Sequence, residues 1–166
     1  MAATSFNPLQ PRVVDAGGNI APIFVFPEAA GQTYKAGAVV ELVAGAVTAC
    51  DNAADRILGI AQKDATGTTS ADAPVQVFRP SDFIEMGCVD AAATDVLVAA
   101  SGLKAGYTYS IAIDSNGVCN ADLNTEHATT EEVIFVQPVY DANGDSTYRG
   151  IFTLESLAGN LQGGTA

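Results

Sequence analysis

From Pro22 onward the chain breaks into short apolar runs, each closed off by glycine, proline or an acidic turn, and this rhythm limits the fold more than any other feature. Runs this short, bounded by turn residues, read as strands, whereas a helix needs an apolar stripe of period 3.6 sustained over about ten residues or more. Tyr107, Tyr109, Ile111 and Ile113 alternate with Thr108, Ser110 and Ala112, a period of two that places one face inward. Ile23-Phe24-Val25-Phe26 is stopped by Pro27. The runs from Val39 to Val43 and from Val47 to Cys50 flank Ala44-Gly45-Ala46 and predict a hairpin. Val75, Val77 and Arg79 alternate with Gln76 and Phe78 as in a half-buried strand, which Phe83 to Val89 continues past Pro80-Ser81. Val133 to Tyr140 is apolar on both faces and predicts a strand covered from both sides, with Pro138 marking an edge or a bulge. Tyr148 to Leu154 pairs with it across the turn from Asp141 to Ser146. Residues 91–100 alone favour a helix, with Asp90 as N-cap and Gly102 just past the end. The expected fold is mainly β, a compact antiparallel barrel or sandwich with at most one short helix.

With 166 residues the chain fits one domain that needs no metal or disulfide staple. The expected division is an extended N-terminal arm over 1–21, a β domain over 22–156 and a flexible tail over 157–166. Pro8 and Pro11 favour an extended path in the arm, and with Phe6 and Leu9 it reads either as a frayed end or as a segment that orders on a partner. The 19 acidic residues against 7 basic give a net charge of −12, which repels phosphate backbones and anionic lipid. Neither nucleic acid nor membrane is an expected partner. Met1 to Gln10 has neither a basic start nor an apolar core, so no secretory leader is expected. Cys50, Cys88 and Cys119 lack paired spacing and read as buried thiols, as suits a reducing compartment.

No set of residues spells out a reaction. The single histidine, His127, sits in a polar run with no nucleophile elbow anywhere in the chain to serve it. One histidine and three scattered cysteines do not make a zinc site. Asp141, Asn143 and Asp145 alternate as oxygen donors, but a calcium loop needs glycine sixth and glutamate twelfth, whereas here Gly144 is fourth and Phe152 twelfth, and a plain hairpin turn explains Asn143-Gly144. Paired carboxylates for sugar cleavage lack the usual aromatic platform, since tryptophan is absent. No glycine-rich phosphate loop occurs. Neither an enzyme nor a cofactor is expected.

Several segments together resemble the small capsid cement, or decoration, proteins of tailed bacteriophages. The resemblance starts at Tyr34-Lys35-Ala36-Gly37-Ala38-Val39-Val40-Glu41-Leu42 and runs through Ile57-Leu58-Gly59-Ile60-Ala61-Gln62-Lys63-Asp64-Ala65. It continues in Pro74-Val75-Gln76-Val77 and Phe83-Ile84-Glu85-Met86, and the closing strands between Val133 and Leu154 keep the order. It covers about residues 30–155 and is most specific over 34–90; the longer N-terminal segment and the extra length around 114–131 depart from it. The resemblance implies a compact fold of the kind called a β-tulip. It implies a homotrimer at three-fold and quasi-three-fold positions on the outer surface of the virion, assembled in the host cytoplasm, with the major capsid protein as partner. Capsomers would be bridged and the shell stabilised against DNA pressure. Phe6, Pro8 and Leu9 are then the candidate capsid contacts. The alternative is a head-fibre base or adhesin-like module that binds a host-surface glycan through Tyr107, Tyr140 and Tyr148.

Overall fold

A computed structural model of the chain describes residues 11–15, 22–50, 57–79, 82–89, 104–113, 118–122 and 133–154. Every regular element among them is a strand: β1 (Arg12–Asp15), β2 (Ile23–Pro27), β3 (Val39–Val43), β4 (Ala46–Ala49), β5 (Ile57–Ala61), β6 (Asp72–Val77), β7 (Phe83–Val89), β8 (Thr108–Ile113), β9 (Cys119–Asp122), β10 (Val133–Tyr140) and β11 (Ser146–Leu154). The mainly β expectation holds. The helix proposed for 91–100 lies outside the described residues, as do His127 and the tail.

Two sheets pack together. In the first, β7, β11, β10, β8 and β9 follow one another, and β9 returns to pair with β7, closing a small barrel. That closing pair is parallel; the other pairings in this sheet are antiparallel. Closure removes the free edges that an open sheet would expose. β1, which belongs to the segment expected to be an irregular arm, adds to β7 through Phe83, Ile84 and Glu85, beside the stretch from Gly87 to Val89 that holds β9.

The second sheet is antiparallel and open, in the order β2-β6-β5-β3-β4. Its outer strands meet only where Glu28 bridges Val47, and there the Ala29 N–H donates to the Val47 carbonyl at 3.0 Å. The β3–β4 hairpin turns on two residues, Ala44 and Gly45, at φ 49° and 82°. Positive φ at both turn positions gives the twist that suits tightly paired strands, so Ala46 belongs to β4 and not to the turn. All five residues of β5 are buried, as befits the middle strand of this sheet.

Both sheets contribute to one core, where Val39, Val40, Ile57 and Val75 of the open sheet join Ile84, Met86, Ile111 and Phe152 of the barrel. A polar contact also crosses between them: the Val39 N–H donates to Cys119 Sγ at 3.2 Å.

Two expectations about individual strands need correcting. Phe83 to Val89 does not continue the strand before it, because the chain changes sheets after β6. Asp82 fixes the corner by accepting from the Arg79 N–H at 2.9 Å, while its own N–H donates to the Arg79 carbonyl at 3.0 Å. β10 is not covered on both faces. Val133 and Phe135 are buried, but β8 pairs with β10 only at its start, so Gln137 and Tyr140 lie exposed further along. Register shifts flank Pro138, as its missing N–H requires.

Candidate functional site

β2 is the strand whose composition and surroundings disagree. Its side chains are those of a core strand, yet Ile23 is 55%, Phe24 53% and Val25 62% exposed. Ile23 and Val25 share one face and Phe24 lies on the other, so apolar surface is bare on both.

The backbone makes the same point. β2 pairs with β6 through Ile23↔Gln76, Phe24↔Val75, Val25↔Pro74, Phe26↔Ala73 and Pro27↔Asp72. At the ends of this ladder the Val77 N–H donates to the Pro22 carbonyl at 3.0 Å and the Glu28 N–H to the Ala71 carbonyl at 2.8 Å. Antiparallel hydrogen bonding alternates along a strand, so the even-numbered residues turn their N–H and C=O groups toward β6. The N–H and C=O groups of Ile23 and Val25 therefore face the outer edge, where no strand pairs with them among the described residues. Pro27, the next outward residue, has no N–H to offer, and past it β4 occupies the edge.

Glu28 holds the end of β2 in place. Its carboxylate is 1% exposed at the residue level and accepts from the Thr66 N–H at 3.0 Å, the Thr66 hydroxyl at 3.2 Å and the Gly67 N–H at 2.5 Å. The Ser70 N–H donates to its carbonyl at 2.8 Å. Burial pushes the nearby Tyr34 phenol up to about 12, and the Glu28 charge adds to that rise. Glu28→Ala removes the acceptor from the Thr66 and Gly67 donors, and a loss of about 3 kcal/mol is expected. Denaturant unfolding checks this; a loss below about 1 kcal/mol contradicts the anchoring role.

Two other polar groupings tie strands and a turn together. Glu85 on β7 accepts from Arg149 Nε of β11 at 2.5 Å and from Arg12 Nη2 of β1 at 2.7 Å. Asp141 closes the β10–β11 turn: one carboxylate oxygen accepts from the Asn143 N–H at 2.8 Å and the Asp145 N–H at 2.9 Å. Among the described residues no group of three or more His, Cys, Asp or Glu lies close enough to hold a metal ion. Cys50, Cys88 and Cys119 are unbridged and buried, and burial pushes the Cys88 thiol up to about 12 against a lowering influence from Arg149. A thiol reagent at about pH 8 is therefore expected to leave all three unmodified until denaturant is added. Rapid labelling of the native protein contradicts that expectation.

Phe6, Pro8 and Leu9 lie outside the described residues. Of the three tyrosines of the glycan alternative, Tyr148 lies on β11 beside the end of β10 that carries Tyr140, and Tyr107 stands apart from both. Tyr107 bonds through its carbonyl to the Phe135 N–H, while Tyr140 stands at the far end of β10, about 16 Å along the strand. The β2 edge was missed as a site because an uninterrupted apolar run reads as core; Pro27 was the one sign of an edge. Comparison with protein-family models, curated proteins and solved structures gives no match to this chain.

Proposed function

We propose that this chain is a structural cement protein of a tailed-bacteriophage head, binding the outer surface of the shell as a trimer at three-fold and quasi-three-fold positions and bridging neighbouring capsomers. The observation that carries the reading is β2, an apolar strand with bare faces and an edge that no strand pairs among the described residues, on an otherwise well-buried two-sheet body. A surface of this kind suits attachment to another polypeptide. The strand order also supports the reading, since the segments that resemble the cement proteins fall on β3, β5, β6, β7, β10 and β11.

Such a protein works through many weak contacts. A millimolar contact is worth about 4 kcal/mol, and three of them linked in a trimer act through effective concentration, with avidity far above the single affinity. The net charge of −12 suits a position outside the shell, away from the packaged DNA.

Electron cryo-microscopy of virions with and without the gene tests the proposal. The expected difference is density for this chain at three-fold and quasi-three-fold positions, with heads that lack it losing DNA at a lower temperature. Identical maps and identical heat resistance would remove the cement role.

A further inference from the structure

We propose that the open edge of β2 is a strand-addition site for a short extended segment of a different protein, apolar at its centre and neutral or basic at its ends. The partner's identity as the shell protein rests on the cement reading; the pairing itself rests on β2 alone.

The geometry sets the length of that segment. Ile23 and Val25 each turn one N–H and one C=O outward, so an added strand finds two donors and two acceptors before Pro27 ends the ladder. Beyond Pro27 the edge belongs to β4 through Ala29 and Val47. An incoming segment therefore pairs over only a few residues. Its side chains lie beside Ile23 and Val25 on one face and beside Phe24 on the other, so apolar or β-branched residues at its centre fit both. The edge needs little ordering on binding, because Glu28 already fixes one end of β2 through the Thr66 and Gly67 donors.

A second copy of this chain is the poorer occupant. Three side chains a little over half exposed offer a few hundred Å², against the ~800 Å² per partner of a stable interface. Two copies would also each bring a net charge of −12 to that small contact. Asp72, exposed and paired with Pro27 at the end of the edge, adds local negative charge that favours a basic terminus on the incoming strand. Any trimer must draw on a larger surface than β2.

The test uses the full chain, labelled with nitrogen-15, and two synthetic peptides with blocked ends. Both carry the same alternating valine–threonine centre; one is flanked by lysine pairs and the other by glutamate pairs. At saturation the lysine-flanked peptide is expected to slow amide exchange at Ile23 and Val25 by about 5-fold or more, while Phe24 and Phe26 change by less than about 2-fold because their amides already bond β6. The glutamate-flanked peptide is expected to bind about 10-fold more weakly. Val25→Pro removes one outward donor and no bond to β6, and is expected to abolish the slowing while the far-ultraviolet spectrum stays unchanged. Val25→Lys keeps the donor, places a charge on the edge and is expected to weaken the lysine-flanked peptide by about 10-fold.

Unchanged exchange at Ile23 and Val25 with either peptide overturns the proposal. So does protection that grows with protein concentration in the absence of peptide, which assigns the edge to a second copy. Equal affinity for the two peptides overturns its electrostatic part. Binding to phage heads separates the two readings. Folded Val25→Pro that still binds heads like wild type removes β2 as the contact and leaves the cement role standing. Wild type that takes up the peptide yet ignores heads does the reverse.

Discussion

Gly59→Ala is expected to leave little folded protein at physiological temperature. Gly59 lies in the middle of β5, and a Cβ built there would sit 2.0 Å from the Gln76 carbonyl oxygen and 2.9 Å from the Val77 Cα. Those atoms belong to the backbone of β6, so no side-chain rotation relieves the clash. β5 would have to part from β6, and β6 is the strand that carries β2. Overpacking of a core usually costs about 1–3 kcal/mol, and a clash with neighbouring backbone belongs to the rarer cases above about 4 kcal/mol. Against a total stability of about 5–15 kcal/mol, that loss depopulates the native state. Circular dichroism during thermal unfolding reads the outcome. A melting temperature within about 3 °C of wild type would show that the two strands are not pressed together as described.

Glu85→Ala is the second large effect, with an expected loss of about 3–5 kcal/mol. Glu85 and Arg149 are both buried, at 5% and 6% exposure, and the guanidinium also donates to the Glu85 carbonyl at 3.1 Å. Alanine leaves a buried cation without its carboxylate and frees Arg12, the side chain that ties β1 to the barrel. Replacing Glu85 and Arg149 together with leucine and methionine is expected to recover most of the loss, because two apolar residues leave no charge to solvate. A double variant no more stable than Glu85→Ala contradicts this pairing.

The same cluster gives a direction with pH. Burial acts most strongly on Glu85 and favours its neutral form, but hydrogen bonds and charge from Arg12 and Arg149 together outweigh it and hold the carboxyl below its usual value of 4.5. A group that binds its proton less readily when folded contributes fully above its unfolded pKa. That contribution falls away as the pH drops through the folded value. Wild type is therefore expected to lose stability below about pH 4.5 more steeply than the leucine–methionine double variant.

Much of the β character was legible because it is local. The alternation around Tyr109 and Ile111 marks β8, and the turns at Gly45 and Gly144 announce their hairpins through residues that take positive φ. Sheet membership was not legible. Nothing in Phe83 to Val89 says that it leaves the sheet of β6, since the switch depends on a corner where Asp82 accepts from the Arg79 N–H. The return of β9 to β7 joins residues far apart in the chain and leaves no periodic trace. β1 was hidden for another reason: Arg12–Asp15 is short and mixed in character, and its place on β7 depends on Glu85.

β2 shows the limit most clearly. Ile23, Phe24, Val25 and Phe26 look like core, because a hydrophobic run carries no information about what will cover it. Position at a sheet edge is decided by pairing partners, and the one local sign was a proline without a donor at its end. The arm residues Phe6, Pro8 and Leu9, expected as contacts, lie outside the described residues, and the bare apolar run on β2 is what the described residues add beside them.

Co-sedimentation with expanded heads stripped of this chain tests the central claim most directly. Saturable binding is predicted, with a fixed number of copies per capsomer and apparent affinity far tighter than that of one contact. Protein that stays in the supernatant at every concentration, with heads unaltered by its presence, would contradict it.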